Sequence, residues 1–239
     1  MTDPIKNNIE KLEVGYVFTS DEVSGELTSP SYISKKLNSF VANGYIRKLS
    51  KGRFYKPEIS EFGELPLADY EVVKDLLVKN GKPIGYITGY SVFNKFLLTT
   101  QVSAIMQIST RKTKPNIVRG RYKIDFVKQD NIITKDNIPL LQLLDCLRFF
   151  KKIPDTTADK SCTRLLQLLA ELDQAQIKEV KKLVLNYTPQ AVALLGAMLE
   201  MLKPQEDTAL LLKSLNIMTE YKLGISQNIL LNQKKWHIR

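Results

Sequence analysis

The sequence contains very little histidine. Its only histidine is His237, near the end of the chain. Activated serine and cysteine nucleophiles commonly rely on a histidine base, and histidine is a common zinc ligand. We therefore expect no Ser-His or Cys-His catalysis and no histidine-bound metal. More broadly, we expect a protein with no catalytic residues, no metal and no cofactor, which is not an enzyme.

Cysteine and long apolar runs are also scarce. Cys146 and Cys162 are the only two cysteines, and their spacing of sixteen residues forms neither a C-x-x-C pair nor a disulfide framework. We expect both to be buried small hydrophobic residues in a reducing compartment. No apolar run reaches the roughly 18 residues of a membrane span. Residues 1–10 carry charges and no apolar segment, so we expect no signal peptide, a cytoplasmic location and no membrane partner.

Acidic residues are outnumbered by basic ones. The chain has 35 Lys and Arg against 25 Asp and Glu, a net charge of +10, which favours polyanionic partners. The surplus is concentrated between Pro30 and Pro57, a stretch without Asp or Glu. Its seven basic residues are Lys35, Lys36, Arg47, Lys48, Lys51, Arg53 and Lys56. This segregation indicates a cationic surface suited to nucleic acid.

The hydrophobic pattern predicts an α+β protein in three parts. We expect a winged helix-turn-helix at residues 1–57, a linker at 58–66, and an α+β domain at 67–239. The middle of that domain is mixed α/β, and its later part is helical because apolar residues recur there at spacings of three and four. We expect helices at 68–80 and 90–97, strands at 84–88, 104–109, 117–119 and 122–128, and helices almost throughout 137–219.

Three short N-terminal helices are predicted from their start signals. These signals are N-cap residues followed by proline, or a capping box. They occur at Asp3-Pro4, at Thr19 to Glu22, and at Ser29-Pro30. A turn through residues 26–28 leads into the third helix, which should end at Asn43-Gly44 in a left-handed conformation.

The third helix has two contrasting faces. Its apolar residues recur at helical spacing and should point inward; they are Ile33, Leu37, Phe40 and Val41. The opposite face is polar and free of acid, which suits a DNA major groove. We predict that it reads bases through Ser31, Lys35, Asn38 and Ser39, with Tyr32 and Lys36 contacting the flanking DNA backbone.

A basic hairpin should follow this helix. Two short strands around the Lys51-Gly52 turn would form a wing, and we predict backbone contacts from Arg47, Lys48, Lys51 and Arg53. A second acid-free cluster lies further along the chain. It either extends the contact with the DNA backbone or is a solvated loop, and its members are Arg111, Lys112, Lys114, Arg119, Arg121 and Lys123.

Several segments resemble one known family. The run from Tyr45 to Pro57 is similar to the end of the N-terminal domain in AbiEi-type antitoxins of bacterial type IV toxin–antitoxin systems. The runs 85–94 and 97–102 resemble that family's second block, and the strand pair at 117–126 fits the same layout. So does the ending Leu223-Gly224-Ile225 with Trp236. The resemblance covers most of the chain.

This resemblance implies a winged-helix repressor that binds operator repeats of double-stranded DNA in its own promoter. It further implies that the C-terminal region counteracts a nucleotidyltransferase-like toxin without requiring a stable complex. Separately, we expect the apolar C-terminal helices to be mostly core, and a smaller part of them could serve self-association on DNA, since a repressor gains affinity by pairing half-sites.

Two other interpretations of the chain stay open. The winged helix could contact a protein instead of DNA, or the chain could be a metal-dependent nuclease that uses Asp125. In the latter case Lys128 would lie on the opposite strand face from Asp125.

Overall fold

The computed structural model describes residues 3–25 and 29–239. They form two compact units. Unit 1 comprises Met1–Asp75 and Ile117–Lys123, and unit 2 comprises Leu76–Asn116 and Ile124–Arg239. Helices and strands occur in both, so the predicted α+β class is confirmed. The turn predicted at 26–28 lies outside the described residues.

The first part of the chain alternates short helices and strands. Its elements are α1 (Pro4–Glu10), β1 (Val17–Thr19), α2 (Ser20–Val23), α3 (Pro30–Ala42), β2 (Arg47–Ser50), β3 (Arg53–Tyr55), β4 (Ile59–Ser60), β5 (Gly63–Glu64), α4 (Asp69–Leu77), β6 (Val78–Lys79) and β7 (Lys82–Pro83).

The remainder holds a few longer strands and then becomes helical. Its elements are β8 (Gly85–Thr88), α5 (Tyr90–Lys95), β9 (Ile105–Thr110), β10 (Ile117–Arg119), β11 (Tyr122–Lys128), α6 (Ile138–Arg148), α7 (Ala158–Ala170), α8 (Gln174–Val184), α9 (Pro189–Leu202) and α10 (Ala209–Lys213). Short 3₁₀ turns lie at Phe150–Lys152 and Gln233–Trp236. The four predicted strands and the helical C-terminal region are confirmed.

The predicted helix starts in unit 1 are confirmed by their caps. The Asp3 carboxylate accepts a hydrogen bond from the Ile5 N–H at 3.1 Å, and the Ser29 hydroxyl accepts one from the Tyr32 N–H at 3.3 Å. At α2, the Glu22 carboxylate accepts from the Thr19 N–H at 2.8 Å. These bonds satisfy N–H groups that the first helical turn leaves without partners.

A three-stranded antiparallel sheet backs the helices of unit 1. Its strand order is β1-β3-β2, with Phe18 opposite Phe54, and Gly52 turns the β2–β3 hairpin at a φ of +73°. Inward-facing apolar side chains of the helices pack on it, so this small unit has its own core. Its buried members are Ile5, Ile9, Phe18, Val23, Ile33, Leu37, Ile46 and Phe54.

The segment that follows the β2–β3 hairpin is part of unit 1. Residues 58–66, which we predict as a linker, lie within this unit and contain β4 and β5. The Glu71 carboxylate accepts a hydrogen bond from the Val17 N–H at 2.8 Å, and the Tyr122 hydroxyl accepts one from the Leu67 N–H at 3.0 Å.

Helix α4 ends earlier than we predicted. Its last residue is Leu77 instead of residue 80, because the chain turns directly into the β6–β7 hairpin. Asn80 and Gly81 form the two-residue turn with φ values of +51° and +72°. This pair of positive φ angles is typical of a type I′ turn, and a helix cannot continue through it.

Unit 2 has a large apolar core around α9. Residues Ala191 to Leu199 of this helix are all buried, and α6, α7, α8 and α10 contribute to the same core. Strands β8 and β9 pair antiparallel, with Gly85 opposite Thr110. Cys146 and Cys162 are buried and unbridged, as expected. Within residues 3–25 and 29–239, no helix combines the length and apolar character that crossing a bilayer requires.

Candidate nucleic-acid interface

The two predicted faces of α3 are confirmed. Ile33 and Leu37 are buried in unit 1 at 4% and 1% exposure. The four residues predicted to read bases are all exposed along the other side of the helix, at spacings of four, three and one; they are Ser31, Lys35, Asn38 and Ser39. They therefore share a stripe that a ligand can reach, although their role as base readers stays a prediction.

The two flanking residues of α3 differ in their surroundings. Tyr32 is 48% exposed. Lys36 is partly covered, because its ammonium forms an ion pair with the Asp3 carboxylate at 2.8 Å. The hydrogen bond from Lys36 holds the pKa of Asp3 below its ordinary value. Lys36 therefore connects α3 to the start of α1, a structural contact that the sequence did not reveal.

The β2–β3 hairpin presents two unpaired lysines. Lys48 and Lys51 are exposed, and neither lies within 4.0 Å of a carboxylate of the described residues. Lys51 precedes the turn glycine, so its ammonium extends from the tip of the hairpin. These two cations and Lys35 on α3, which is exposed and likewise unpaired among the described residues, remain available to an anionic partner.

Arg47 is engaged within the unit. Its guanidinium donates to the Glu64 carboxylate at 3.1 Å and to the Gly44 carbonyl at 3.0 Å, so it also covers the end of α3. The Tyr55 hydroxyl donates to the same Glu64 at 2.8 Å. Burial and this hydrogen bond raise the pKa of Tyr55 to about 12. A phosphate contact by Arg47 would compete with Glu64.

Arg53 and Arg119 share one carboxylate. Arg53 donates to Asp75 at 2.5 Å, while Arg119 makes two bonds to Asp75 at 2.6 and 2.8 Å and a third to the Val72 carbonyl at 2.6 Å. Burial alone raises the pKa of Asp75, but the two guanidinium groups outweigh it and the pKa is lowered. Arg119 is only 5% exposed. Its assignment to an exposed second patch is therefore wrong: this arginine is a buried structural group.

Two other members of the second basic cluster lie near the hairpin. Arg121 and Lys123 are exposed and belong to unit 1. They follow the turn at Gly120, whose Cβ position lies 3.7 Å from the Leu49 carbonyl oxygen of β2. In the sequence Arg121 and Lys123 lie more than sixty residues from the wing. In the fold, the Gly120 turn that precedes them packs against β2 of the wing.

The rest of that cluster belongs to unit 2. Arg111 and Lys112 are exposed, and Lys114 is half-buried with its ammonium 5.4 Å from the centre of the Phe126 ring. The six residues that we predicted as one patch are thus divided between the two units.

The carboxylates that pair with Lys36, Arg47 and Arg53 could not be identified from the sequence, because they lie far from these cations along the chain. The basic stretch from Pro30 to Pro57 has no acid of its own, but Asp3, Glu64 and Asp75 fold onto three of its cations. Local sequence gives no indication of these pairings, since the partners are separated by 17 to 33 positions. Counting charge within a segment therefore overstates the charge available on its surface.

The nuclease interpretation gains no metal site from the geometry. Residues 3–25 and 29–239 contain no group of three or more His, Cys, Asp or Glu side chains placed to hold a metal ion. Asp125 lies in β11, while Lys128 pairs with Asp130 at 2.7 Å.

The comparisons with known proteins identify a structural likeness only. No family model and no curated protein matches the chain. Among solved structures, the chain is similar to the crystal structure of the RV2827C protein from Mycobacterium tuberculosis, with a TM-score of 0.63 and 9% sequence identity over 98% of this chain and 88% of that one. At this identity the likeness concerns the fold alone.

Proposed function

We propose that this protein is a DNA-binding transcriptional repressor in which residues 1–57 act as a winged helix-turn-helix. The observation that carries the proposal is the exposed, acid-free stripe on α3, opposite the buried Ile33 and Leu37. The basic β2–β3 hairpin directly after that helix supports it. In helix-turn-helix proteins the second helix of the motif enters the major groove; here that helix is α3.

The stripe suits base recognition. An asparagine amide can bond both hydrogen-bonding groups of an adenine edge, and lysine can bond the acceptors of guanine. In this proposal the exposed Asn38 and Lys35 make these contacts, with the Ser31 and Ser39 hydroxyls contributing beside them. Lys48 and Lys51 would then contact phosphates, which fixes orientation without reading sequence.

We further propose that the repressor is an antitoxin of the AbiEi type. This rests on the sequence resemblance described above, whose first segment spans the β2–β3 hairpin and whose second, 85–94, spans β8 and all of α5 except Lys95. In this proposal the protein is cytoplasmic and autoregulates its operon through operator repeats. Residues 67–239 would counteract a nucleotidyltransferase-like toxin, with residues 58–66 joining the two functions.

The proposal predicts that removing two free cations impairs operator binding. A fluorescently labelled duplex from upstream of the coding region should bind the wild-type chain. Lys35→Ala/Lys51→Ala should weaken binding by about tenfold or more, since a base contact such as that of Lys35 is worth roughly 1–3 kcal/mol and the phosphate contact of Lys51 adds to it. Fluorescence anisotropy measures this. Lys178→Ala/Lys213→Ala is the control, because it removes the same charge from exposed positions of unit 2. Equal affinity of the Lys35/Lys51 variant and wild type would show that α3 is not the reader.

Salt dependence should report whether Arg121 and Lys123 contact the backbone. Each neutralised phosphate contributes about −0.9 to the slope of log K against log salt for duplex DNA. We expect Arg121→Ala/Lys123→Ala to make the slope less steep by about 1.8, whereas Asn38→Ala should leave the slope unchanged while reducing discrimination between sequences. An unaltered slope in the double variant would exclude both cations from the footprint. A wild-type chain that binds no duplex at low salt would favour the protein-contact interpretation.

A further inference from the structure

Unit 2 contains a cavity with a strongly cationic wall. Its volume is about 640 Å³, and four of its nine lining residues are basic. None of the described residues that line it is acidic. The basic residues are Lys79, Arg111, Lys112 and Lys114, and the others are Pro83, Ile84, Thr110, Ile132 and Ile133. All nine belong to unit 2.

The β6–β7 hairpin fixes one side of the cavity. Its type I′ turn at Asn80-Gly81 pairs Lys79 with Lys82 across the strands. The Ile84 N–H donates to the Leu77 carbonyl at 2.7 Å, which anchors the base of the hairpin. The position of Lys79 at the cavity is therefore set by backbone geometry.

The loop after β9 forms another part of the cavity wall. Thr110 is 1% exposed; its hydroxyl donates to the Lys112 carbonyl at 2.8 Å, and its carbonyl accepts from the Gln129 N–H at 2.9 Å. These bonds hold the loop that carries Arg111, Lys112 and Lys114. The cations therefore face the cavity from an ordered frame.

The cationic side chains lack acidic partners. None of the four lies within 4.0 Å of a carboxylate of the described residues. By contrast, Arg47, Arg53 and Arg119 of unit 1 are all paired. Clustered like charges repel one another, and a concave surface lined by one sign of charge concentrates the opposite ion. The unpaired cluster indicates a site for a multiply charged anion.

The remainder of the cavity is apolar. Pro83 and three isoleucines line it, and Ile132 is left 67% exposed. A phosphate chain alone would leave this surface in contact with water, which is unfavourable in proportion to its area. The ligand therefore has two parts, an anionic chain and a flat or apolar group.

We propose that this cavity binds a free nucleoside di- or triphosphate. The phosphates would lie against Lys79, Arg111 and Lys112, and the base would lie on the isoleucine surface. The volume falls within the roughly 300–1,000 Å³ typical of small-molecule sites. A nucleic-acid backbone offers the same phosphates, but its bases in a duplex are stacked away from an apolar floor, so the free nucleotide fits better. No residue of this site belongs to unit 1, which carries the proposed DNA-reading surface.

Calorimetric titration of the full chain with ATP in magnesium-free buffer tests the proposal. We expect Lys79→Ala/Arg111→Ala/Lys112→Ala to weaken ATP binding by at least about tenfold. The control, Lys160→Ala/Lys178→Ala/Lys213→Ala, changes the net charge equally at exposed positions of unit 2. It should retain the wild-type affinity within about twofold.

A second comparison separates the nucleotide from its phosphate chain. Inorganic tripolyphosphate should bind more weakly than ATP, and Ile132→Ser should weaken ATP while leaving tripolyphosphate unchanged. Ile132 is mostly exposed, so this substitution leaves the fold intact. The proposal is overturned if ATP gives no binding heat at millimolar concentration, if the control triple variant loses as much affinity as the cavity variant, or if tripolyphosphate binds as well as ATP. Unlabelled duplex DNA is the competitor. If it displaces ATP, and if its affinity depends on the same three cations, the site binds nucleic acid instead.

Discussion

We expect the replacement of Gly196 by alanine to lower the free energy of unfolding by about 1–3 kcal/mol. An added Cβ would lie 2.1 Å from two ring carbons of Trp236, far inside any normal contact. Trp236 is fully buried, so its ring has no free space to move into. At an unconstrained helix position the same change would stabilise the protein by roughly 1 kcal/mol, because alanine has the higher helix propensity. The destabilising sign is therefore specific to this contact.

The Trp236 ring is held from several directions, which is why it cannot yield. Its indole N–H donates to the Glu200 carboxylate of α9 at 2.7 Å. The next residue, His237, is also held in place, because its carbonyl accepts a hydrogen bond from the Tyr221 N–H at 2.7 Å. Because Gly196 has no side chain, it leaves space on α9 for the Trp236 ring, and this contact packs the C-terminal segment onto the core.

A double-mutant cycle checks this explanation. Unfolding in urea, followed by circular dichroism, gives the four free energies. We expect Gly196→Ala to be markedly less harmful in a Trp236→Leu background, because the shorter side chain leaves room for the methyl group. Additive effects of the two substitutions, or a Gly196→Ala protein as stable as wild type, would contradict the predicted collision.

The elements that the sequence predicted well are those set by neighbouring residues. Helix α3 begins after Ser29 and ends at Asn43-Gly44 because an N-cap and a left-handed glycine act over a few residues. Its two faces follow from helical periodicity alone. The β2–β3 hairpin is likewise determined by its Lys51-Gly52 turn.

Features that depend on distant residues were not predictable in this way. The pairing of Arg53 and Arg119 through Asp75 joins three parts of the chain, and the contact between Gly196 and Trp236 spans forty residues. The cationic cavity of unit 2 combines a hairpin, a loop and a later segment. The basic character of the loop is visible in the sequence, but its meeting with the hairpin and the isoleucines is not. Tertiary packing, which no local pattern encodes, therefore decides which charges remain available to a partner.

Asp145 is another feature that only the fold reveals, and substituting it should have a large effect. This carboxyl lies in α6 with no exposed surface. Its Oδ2 accepts hydrogen bonds from three hydroxyls, those of Tyr86, Thr88 and Ser109, at 2.8, 2.6 and 3.2 Å. Its Oδ1 has no partner among the described residues. We expect Asp145→Ala to destabilise the fold by about 1–3 kcal/mol for each hydroxyl left without an acceptor.

Asp145→Asn should instead change how stability depends on pH. Burial raises the pKa of Asp145 above the ordinary 3.8, because it disfavours the charged form more than the three hydroxyls and the nearby Arg148 favour it. The folded state therefore holds this proton more tightly than the unfolded chain does. The resulting stability is fully present below pH 3.8 and is lost as the pH rises through the raised pKa.

An asparagine keeps an acceptor for the hydroxyls but does not titrate, so the stability of Asp145→Asn relative to wild type should increase as the pH rises. Urea unfolding at several pH values, from below 3.8 to about 8, measures this difference. Asp159, which is only partly buried, is the control, because hydrogen bonds from Ser226 lower its pKa and its stabilising effect is lost as the pH falls. Asp159→Asn should thus show the opposite trend. A pH-independent difference between Asp145→Asn and wild type would mean that the buried carboxyl keeps one charge state throughout, and that its pKa is not raised into this range.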